Sequence, residues 1–182
     1  MRKIAAHIKI VLFLVLLFGC SNVQAVELTL KNTPAQIYFS PHGGCTDAIV
    51  KEISKAKSEI LVQAYSFTSK DIAKALVDAH KRGVRTEIML DKGNRAKKYS
   101  AADFTHNMGI PTFIDAEHAI AHNKIMIIDR ETVITGSFNF TKAAEEKNAE
   151  NLLILRNRDL GKLYIENWNK HRRHSEEYTG RQ

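Results

Sequence analysis

Apolar and polar residues follow one another along the chain with spacings that predict short strands separated by helices. Apolar residues three and four positions apart lie on one face of a helix, whereas compact apolar runs are typical of buried strands. The predicted strands cover residues 36–40, 59–65, 85–90, 112–114, 124–128, 133–135 and 151–155. The alternation predicts an α/β fold, with one domain built on a mixed central β-sheet flanked by helices.

The predicted helices have start and stop signals as well as spacing. Thr68 or Ser69 is a capping residue for the second helix, and Gly83 after two basic residues ends it. The other predicted helices cover residues 46–57, 100–108 and 159–170. In the last of these, Trp168 is interpreted as a core anchor rather than a ligand contact.

The first 25 residues have the order of a secretory signal peptide. Basic residues precede a run of nine apolar residues at 10–18, and Ala25 ends a segment suited to signal-peptidase cleavage. We therefore expect residues 1–25 to be removed, a mature domain of 26–182, and a periplasmic or secreted protein. Two alternatives remain: the segment is retained as a membrane anchor, or Cys20 ends a lipoprotein box and is lipidated.

Composition narrows the class of protein. A 44% apolar fraction and 3 Pro exclude a disordered chain, and 2 Cys are too few for a disulfide scaffold. The formal net charge is +7, and without residues 1–25 it is 24 Lys+Arg against 20 Asp+Glu, or +4. This excess favours polyanionic partners without identifying one. Cys45, alone after cleavage, is interpreted as a small buried hydrophobe.

Polar residues with complementary chemistry lie between positions 122 and 150. His122 and Lys124 are two apart, which in a strand places them on one face, and Ser137 and Asn139 repeat that spacing after the next predicted strand. An imidazole can act as nucleophile or general acid and base, and the other three groups can donate hydrogen bonds to an anion. Glu150 is a candidate carboxylate to orient the imidazole. The set suits phosphoryl transfer.

These residues match the pattern H-x-K-x4-D-x6-G-S-x-N, through which the chain resembles the phospholipase D superfamily. The matching positions are His122, Lys124, Asp129, Gly136, Ser137 and Asn139. The segments GSFNFTKAAEEKNAEN and AYSFTSKDIAKAL are similar to the small bacterial nucleases of that superfamily that carry one motif copy. The resemblance runs from about residue 38 to residue 168.

The resemblance implies a phospholipase D/nuclease fold, a reaction through a phosphohistidine, and no metal or other cofactor. Because the chain holds one motif copy, it also implies a homodimer that pairs two copies of His122 at a two-fold axis. The implied catalytic residues are His122, Lys124, Ser137, Asn139 and Glu150, whereas Asp129 is implied to be structural.

Other polar residues receive weaker interpretations. The remaining histidines of the mature chain are scattered and are expected mostly at the surface, and none has zinc-ligand spacing, so no metal site is predicted. They are His42, His80, His106, His118, His171 and His174. The stretch 171–174 is interpreted as a solvated helix end. A basic loop is either a phosphate-binding patch or merely solvated, and its members are Lys92, Arg95, Lys97 and Lys98.

Three functions follow as hypotheses. The first is an exported, metal-independent endonuclease that hydrolyses DNA, with RNA as a further candidate substrate, and has little sequence preference. The second is a phospholipase or cardiolipin hydrolase that uses the same chemistry and contacts the membrane only through an uncleaved or lipidated N-terminus. The third is a nucleic-acid-binding module with an idle site, which the intact motif argues against.

Overall fold

The computed structural model describes residues 25–96 and 100–180. Its strands are β1 Ala35–Ser40, β2 Glu59–Ala64, β3 Arg85–Asp91, β4 Thr112–Asp115, β5 Lys124–Ile128, β6 Thr132–Gly136, β7 Glu150–Arg156 and β8 Glu176–Glu177. Its α-helices are α1 Cys45–Lys55, α2 Lys70–Lys81, α3 Ala102–Asn107, α4 Lys142–Glu146 and α5 Arg158–Arg172. A short 3₁₀ turn, Lys92–Asn94, follows β3.

The strands form one mixed sheet in the order β1-β7-β6-β5-β2-β3-β4-β8. Strands β2, β3 and β4 are parallel, and β5, β6, β7 and β1 are each antiparallel to their neighbours. As a result, the carboxyl ends of β1, β2, β3, β4 and β6 meet the amino ends of β5 and β7 at one edge of the sheet. We call this edge the site edge.

Helices cover the two faces of the sheet unequally. The larger core cluster packs α1 and α2 against one face, with Ile49, Ile53 and Leu76 fully buried. On the other face α5 buries a smaller cluster, in which Trp168 is 3% exposed and donates from Nε1 to the Val62 carbonyl at 3.3 Å. This confirms Trp168 as a core anchor.

The predicted α/β fold with a mixed sheet is confirmed, and the observed strands and helices overlap every predicted one. Ser69 is the N-cap of α2, since its side chain accepts from the Ile72 N–H. Cys45 is fully buried at the start of α1, and burial raises the pKa of its thiol to about 11, so the thiol is the dominant form. The short α4 and the two-residue β8 were not predicted, because they lack a repeating apolar pattern.

Several predictions fall on residues that the structure does not describe. Residues 1–24 of the predicted signal peptide, which include Cys20, lie outside the described residues. Lys97 and Lys98 of the basic loop lie outside them as well. Within the described residues, none of the helices has the length and apolar character required to cross a membrane.

Candidate active site

His122 lies in the loop that enters β5, on the site edge. β5 begins at Lys124, so His122 lies just before the strand, and the expectation that the two side chains share one face stays a prediction. Two contacts hold this loop. The Ala121 N–H donates to Asp91 Oδ2 at 2.8 Å, and the Tyr65 N–H donates to the Asn123 carbonyl at 2.7 Å. The imidazole is exposed and therefore accessible to a substrate.

Tyr65, which was not predicted as a site residue, forms one wall of the site. Its ring centroid is 4.5 Å from that of His122, and Lys124 Nζ lies 5.1 Å from the Tyr65 centroid. Its carbonyl accepts from Asn94 Nδ2 at 2.7 Å. The only sequence signal for Tyr65 was its place in the AYSF segment. An aromatic ring here fixes the imidazole and lies close to the Lys124 cation.

Lys124 is only 8% exposed although it carries an ammonium group. Its Nζ donates to the His122 carbonyl at 2.8 Å, which ties the side chain to the loop bearing the imidazole. Burial lowers the pKa of Lys124, and the charge of Glu150 opposes this shift. A buried ammonium beside an exposed imidazole can attract an anion without being screened by water.

Ser137 and its neighbours form a tight turn at the end of β6. Gly136 has φ 144°, and a Cβ there would lie 2.3 Å from the Asn151 carbonyl oxygen, so the turn requires glycine. That oxygen accepts from the N–H groups of Ser137 and Phe138 at 3.1 and 3.2 Å. In return, Ser137 Oγ accepts from the Asn151 N–H at 3.0 Å. The hydroxyl keeps its own proton to donate.

Asn139 lies between two fully buried aromatic residues, Phe138 and Phe140. The Phe140 carbonyl accepts from the N–H groups of Thr68 and Ser69, both at 2.9 Å, which fixes this segment to the start of α2. The amide oxygen of Asn139 is buried without a hydrogen-bond partner among the described residues. Such a group is uncommon in a folded chain. This oxygen only accepts hydrogen bonds, so Nδ2 is the atom that can donate to a phosphate.

Glu150 begins β7 at the site edge. Its Oε1 accepts from Asn148 Nδ2 at 3.2 Å, and its charge acts on the Lys124 ammonium. Among the described residues, no hydrogen bond joins Glu150 to His122. The expected role of Glu150 in orienting the imidazole therefore stays a prediction.

Asp129 lies at the opposite edge of the sheet, about 17 Å from Lys124 along β5 at the rise of an extended strand. Its carboxylate accepts from the N–H groups of Lys57, Ser58 and Glu59 and from the Ser58 hydroxyl, at 2.8 to 3.2 Å. It therefore ties the turn after β5 to the start of β2. This geometry agrees with the structural role that the resemblance implied.

The described part of the basic loop contacts the protein itself. Lys92 Nζ donates to the His118 carbonyl at 3.0 Å, and Arg95 pairs with Glu176 at the exposed surface. The loop remains a predicted substrate contact.

Three of the histidines expected at the surface converge on one buried carboxylate. Asp115, at the end of β4, is fully buried, and ring nitrogens of His118, His171 and His174 lie 3.0, 2.8 and 3.4 Å from its oxygens. Burial by itself raises the pKa of Asp115, but hydrogen bonds from His118 and His171 outweigh it and lower that pKa to about 2. The interpretation of 171–174 as a solvated helix end is therefore wrong for both histidines. Sequence spacing missed this cluster because its members come from separate elements.

The chain is similar to known proteins in both sequence and fold. Residues 49–172 match the family described as cardiolipin synthase, PLD-like domain. A phospholipase D of Rickettsia prowazekii is 44% identical over 154 residues, which are 83% of this chain and 75% of that protein. The human mitochondrial cardiolipin hydrolase is 28% identical over 163 residues, or 85% of this chain and 65% of that protein. The crystal structure of Nuc from Salmonella typhimurium, a phospholipase D family member, superposes with a TM-score of 0.78 at 40% identity, covering 82% of this chain and 99% of Nuc.

Proposed function

The chain belongs to the phospholipase D-like family of phosphodiesterases, and we propose that it is an endonuclease that hydrolyses DNA, with RNA as a second substrate. The observation that carries the proposal is the arrangement at the site edge. An exposed His122 imidazole lies beside a buried Lys124 ammonium, and the Ser137 turn and Asn139 follow the adjacent strand. These groups supply a nucleophile and hydrogen-bond donors for a phosphodiester.

The proposed reaction has two steps. A ring nitrogen of His122 attacks phosphorus, the bond to the leaving ester oxygen breaks, and that oxygen takes a proton from the partner subunit's His122. Water then attacks the phosphohistidine and gives its proton to the partner subunit's His122 as the phosphorus–nitrogen bond breaks. Lys124, Ser137 and Asn139 donate hydrogen bonds to the nonbridging oxygens throughout. The chemistry needs no metal at phosphorus.

A homodimer is part of the proposal, since one chain holds one motif copy. An apolar strip on the sheet face that carries α5 supports it: Ile37, Phe39, Leu153 and Leu155 alternate along β1 and β7 beyond the helix. Ile37 is 59% exposed and Phe39 is 67% exposed. Phe39 pairs with Asn151, which holds the Ser137 turn, so the strip reaches the site edge. A second chain packed on this strip brings two site edges together.

The dimer has its own test. Phe39→Glu places a charge in the strip, and we expect a monomeric mass in sedimentation equilibrium together with loss of cleavage. Phe104→Glu is the matched control, because Phe104 is also exposed, at 46%, but lies on α3. An active monomeric wild-type protein would exclude the shared site.

The preference for nucleic acid over lipid rests on charge and on the match to Nuc. The formal net charge is +7, and it stays positive without the predicted signal peptide. The superposition covers nearly all of Nuc, whereas the chain spans about two thirds of the human cardiolipin hydrolase. Hydrolysis of phospholipid or cardiolipin is the second candidate, and the names of the two curated relatives favour it.

Export to the periplasm or the medium is proposed from residues 1–25 alone. In this proposal the membrane is contacted only if that segment is retained or Cys20 is lipidated. Mass spectrometry of the protein recovered from cell fractions distinguishes cleavage after residue 25 from retention and from lipidation.

The proposed activity is tested by nicking of supercoiled plasmid in excess EDTA. We expect cleavage by the wild type and by His106→Gln, a histidine of α3 outside the motif, and no cleavage by His122→Ala. Circular dichroism before and after EDTA confirms that each protein is folded. Cardiolipin and phosphatidylcholine vesicles are assayed with the same preparations, and lipid hydrolysis without DNA cleavage would overturn the proposal. Affinity for DNA should fall steeply as salt rises.

A further inference from the structure

We infer that Asp115, His118, His171 and His174 form a site for a divalent transition-metal ion, of which zinc suits the donors best. Each residue offers one ligand atom, and the four atoms lie within 4.8 Å of one another. The site is separate from the proposed catalytic residues and does not depend on the proposed function. We call these four residues the His–Asp cluster.

The distances from the three imidazoles to Asp115 are close to those of tetrahedral coordination. Zinc–nitrogen bonds of about 2.0–2.1 Å in a tetrahedron place neighbouring ligand atoms about 3.3 Å apart. The imidazole nitrogens of His118, His171 and His174 lie 3.0, 2.8 and 3.4 Å from the nearest Asp115 oxygen. The four ligand atoms lie within 4.8 Å of one another, so the imidazoles must move closer together to bind one ion.

One polar atom of the His–Asp cluster lacks a hydrogen-bond partner among the described residues. His174 Nε2 is buried and has no hydrogen-bond partner among the described residues, although it points at Asp115. The three ring centroids are 4.8 to 5.4 Å apart, so three imidazoles surround one carboxylate. A bound cation would use one lone pair from each ring and the negative charge of Asp115.

Neighbouring groups orient the ligands as expected for a metal centre. His174 Nδ1 lies 3.3 Å from Glu117 Oε2, which leaves Nε2 directed toward the cluster. A carboxylate on the second nitrogen of a metal-bound imidazole fixes its ring and raises its basicity. Lys92 Nζ donates to the His118 carbonyl at 3.0 Å and fixes the loop that carries that ligand.

The donor set indicates both the class of ion and its role. Imidazole ligands suit zinc, copper, iron and nickel, whereas magnesium and calcium prefer oxygen donors. Four protein ligands complete a tetrahedral zinc site and leave no position for substrate, which is typical of a structural site. The ion would join the end of β4 and its following loop to the carboxyl end of α5.

That loop leads directly to the proposed nucleophile. His118 precedes His122 by four residues, and the Ala121 N–H between them is held by Asp91, whose strand pairs with the strand of Asp115. An ion in the His–Asp cluster therefore stabilises the segment that positions His122. It acts through the loop and does not touch the reacting phosphate.

The test measures zinc content and affinity of the untagged purified protein. After incubation with zinc and gel filtration, we expect one zinc per chain by elemental analysis, a Tm that rises with zinc, and an intense visible absorption when cobalt replaces zinc. His118→Gln and His174→Gln should each weaken zinc binding by more than about 100-fold, because they remove a ligand rather than an outer-shell partner. The His118 side chain is 43% exposed, so its substitution removes little packing, and circular dichroism checks that both variants are folded.

Two controls separate the site from incidental binding. His106→Gln removes a histidine outside the His–Asp cluster and His122→Ala removes the proposed nucleophile, and both should bind zinc as the wild type does. Wild-type affinity in His118→Gln and His174→Gln, or no stoichiometric zinc in the wild type, would overturn the inference and leave the imidazoles as hydrogen-bond partners of Asp115.

Discussion

Replacing Gly136 by alanine tests whether the turn after β6 is held by the backbone contact with Asn151. The added Cβ would lie 2.3 Å from the Asn151 carbonyl oxygen and 2.9 Å from Oδ1. Ordinary contact begins at 3.4 Å, so one of the two strands must move by about 1 Å. The same carbonyl accepts from the Ser137 and Phe138 N–H groups, and both hydrogen bonds lengthen with that movement.

The expected loss of stability has two parts. Alanine at φ 144° costs about 1–3 kcal/mol in backbone strain, and loss of two backbone hydrogen bonds costs about 1 kcal/mol each. The total is about 3–5 kcal/mol, and for a chain of this length Tm falls by about 2–4 °C per kcal/mol. A displacement of about 1 Å at Ser137 also lowers the rate of cleavage by about 100-fold.

Gly83→Ala is the matched control, because Gly83 also has a positive φ, 90°, but a Cβ there meets nothing within 4 Å. The Gly83→Ala variant has the backbone strain without the steric contact. Its free energy of unfolding should fall by about 1–3 kcal/mol, and the folded variant should cleave as the wild type does. Thermal unfolding and plasmid nicking at a temperature where both variants are folded measure the two effects. Equal loss of stability in both variants, with wild-type cleavage by Gly136→Ala, would refute the contact argument.

Three further substitutions separate stability from catalysis. Asp129→Ala should lower the free energy of unfolding by about 2–4 kcal/mol while the folded variant cleaves normally, because this carboxylate serves only the start of β2. Lys124→Met should have the opposite effect. The cleavage rate should fall by at least about 100-fold, because a hydrogen-bond donor to the phosphate is lost. The free energy of unfolding should stay unchanged, because a buried ammonium is replaced by an apolar group of similar length. At Glu52, burial by itself raises the carboxyl pKa, but hydrogen bonds from Lys55 and Arg156 outweigh it and lower that pKa. The ionised Glu52 carboxylate therefore stabilises the fold at neutral pH, and this stabilisation is lost as the pH falls below about 4. In urea unfolding, the free energy of unfolding should accordingly fall less on acidification for Glu52→Gln than for the wild type.

Each of these has a result that would contradict it. An inactive but stable Asp129→Ala would place that carboxylate in the chemistry, and an active Lys124→Met would remove the ammonium from it. Parallel acid curves for Glu52→Gln and the wild type would mean that the pairing with Arg156 does not contribute to stability.

Most of the fold could be predicted from local signals. Strand β5 consists of five consecutive buried residues, and α2 has a capping Ser69 and a glycine after its last turn, so spacing alone located both. Strand β8 could not be predicted, because its two glutamates are exposed and it exists only through pairing with Phe113 and Ile114. Its stability comes from the neighbouring strand rather than from its own sequence.

The motif identified the candidate site, but not how its parts are held. Spacing placed His122 next to the start of β5, but it did not reveal that Asp91, on β3, fixes the preceding residue through a hydrogen bond from the Ala121 N–H. The role of Tyr65 depends on β2 lying next to β5, which no local pattern encodes. Long-range pairing decides such contacts, and a single sequence does not reveal it.

The same reason explains why the His–Asp cluster escaped notice while the proposed catalytic residues did not. A catalytic motif that lies on two adjacent antiparallel strands keeps a fixed spacing, because a short turn joins those strands. The cluster instead joins β4 to the far end of α5, more than fifty residues later in the chain. The candidate catalytic site and the His–Asp cluster share the loop between Asp115 and Lys124. The contribution of the ion to catalysis can therefore be separated from its contribution to stability only by measuring both the cleavage rate and Tm. Chelation that lowers Tm but leaves cleavage by the folded protein intact would mean that the ion contributes to stability alone. Chelation that slows cleavage without unfolding would mean that the loop held by the ion also positions His122.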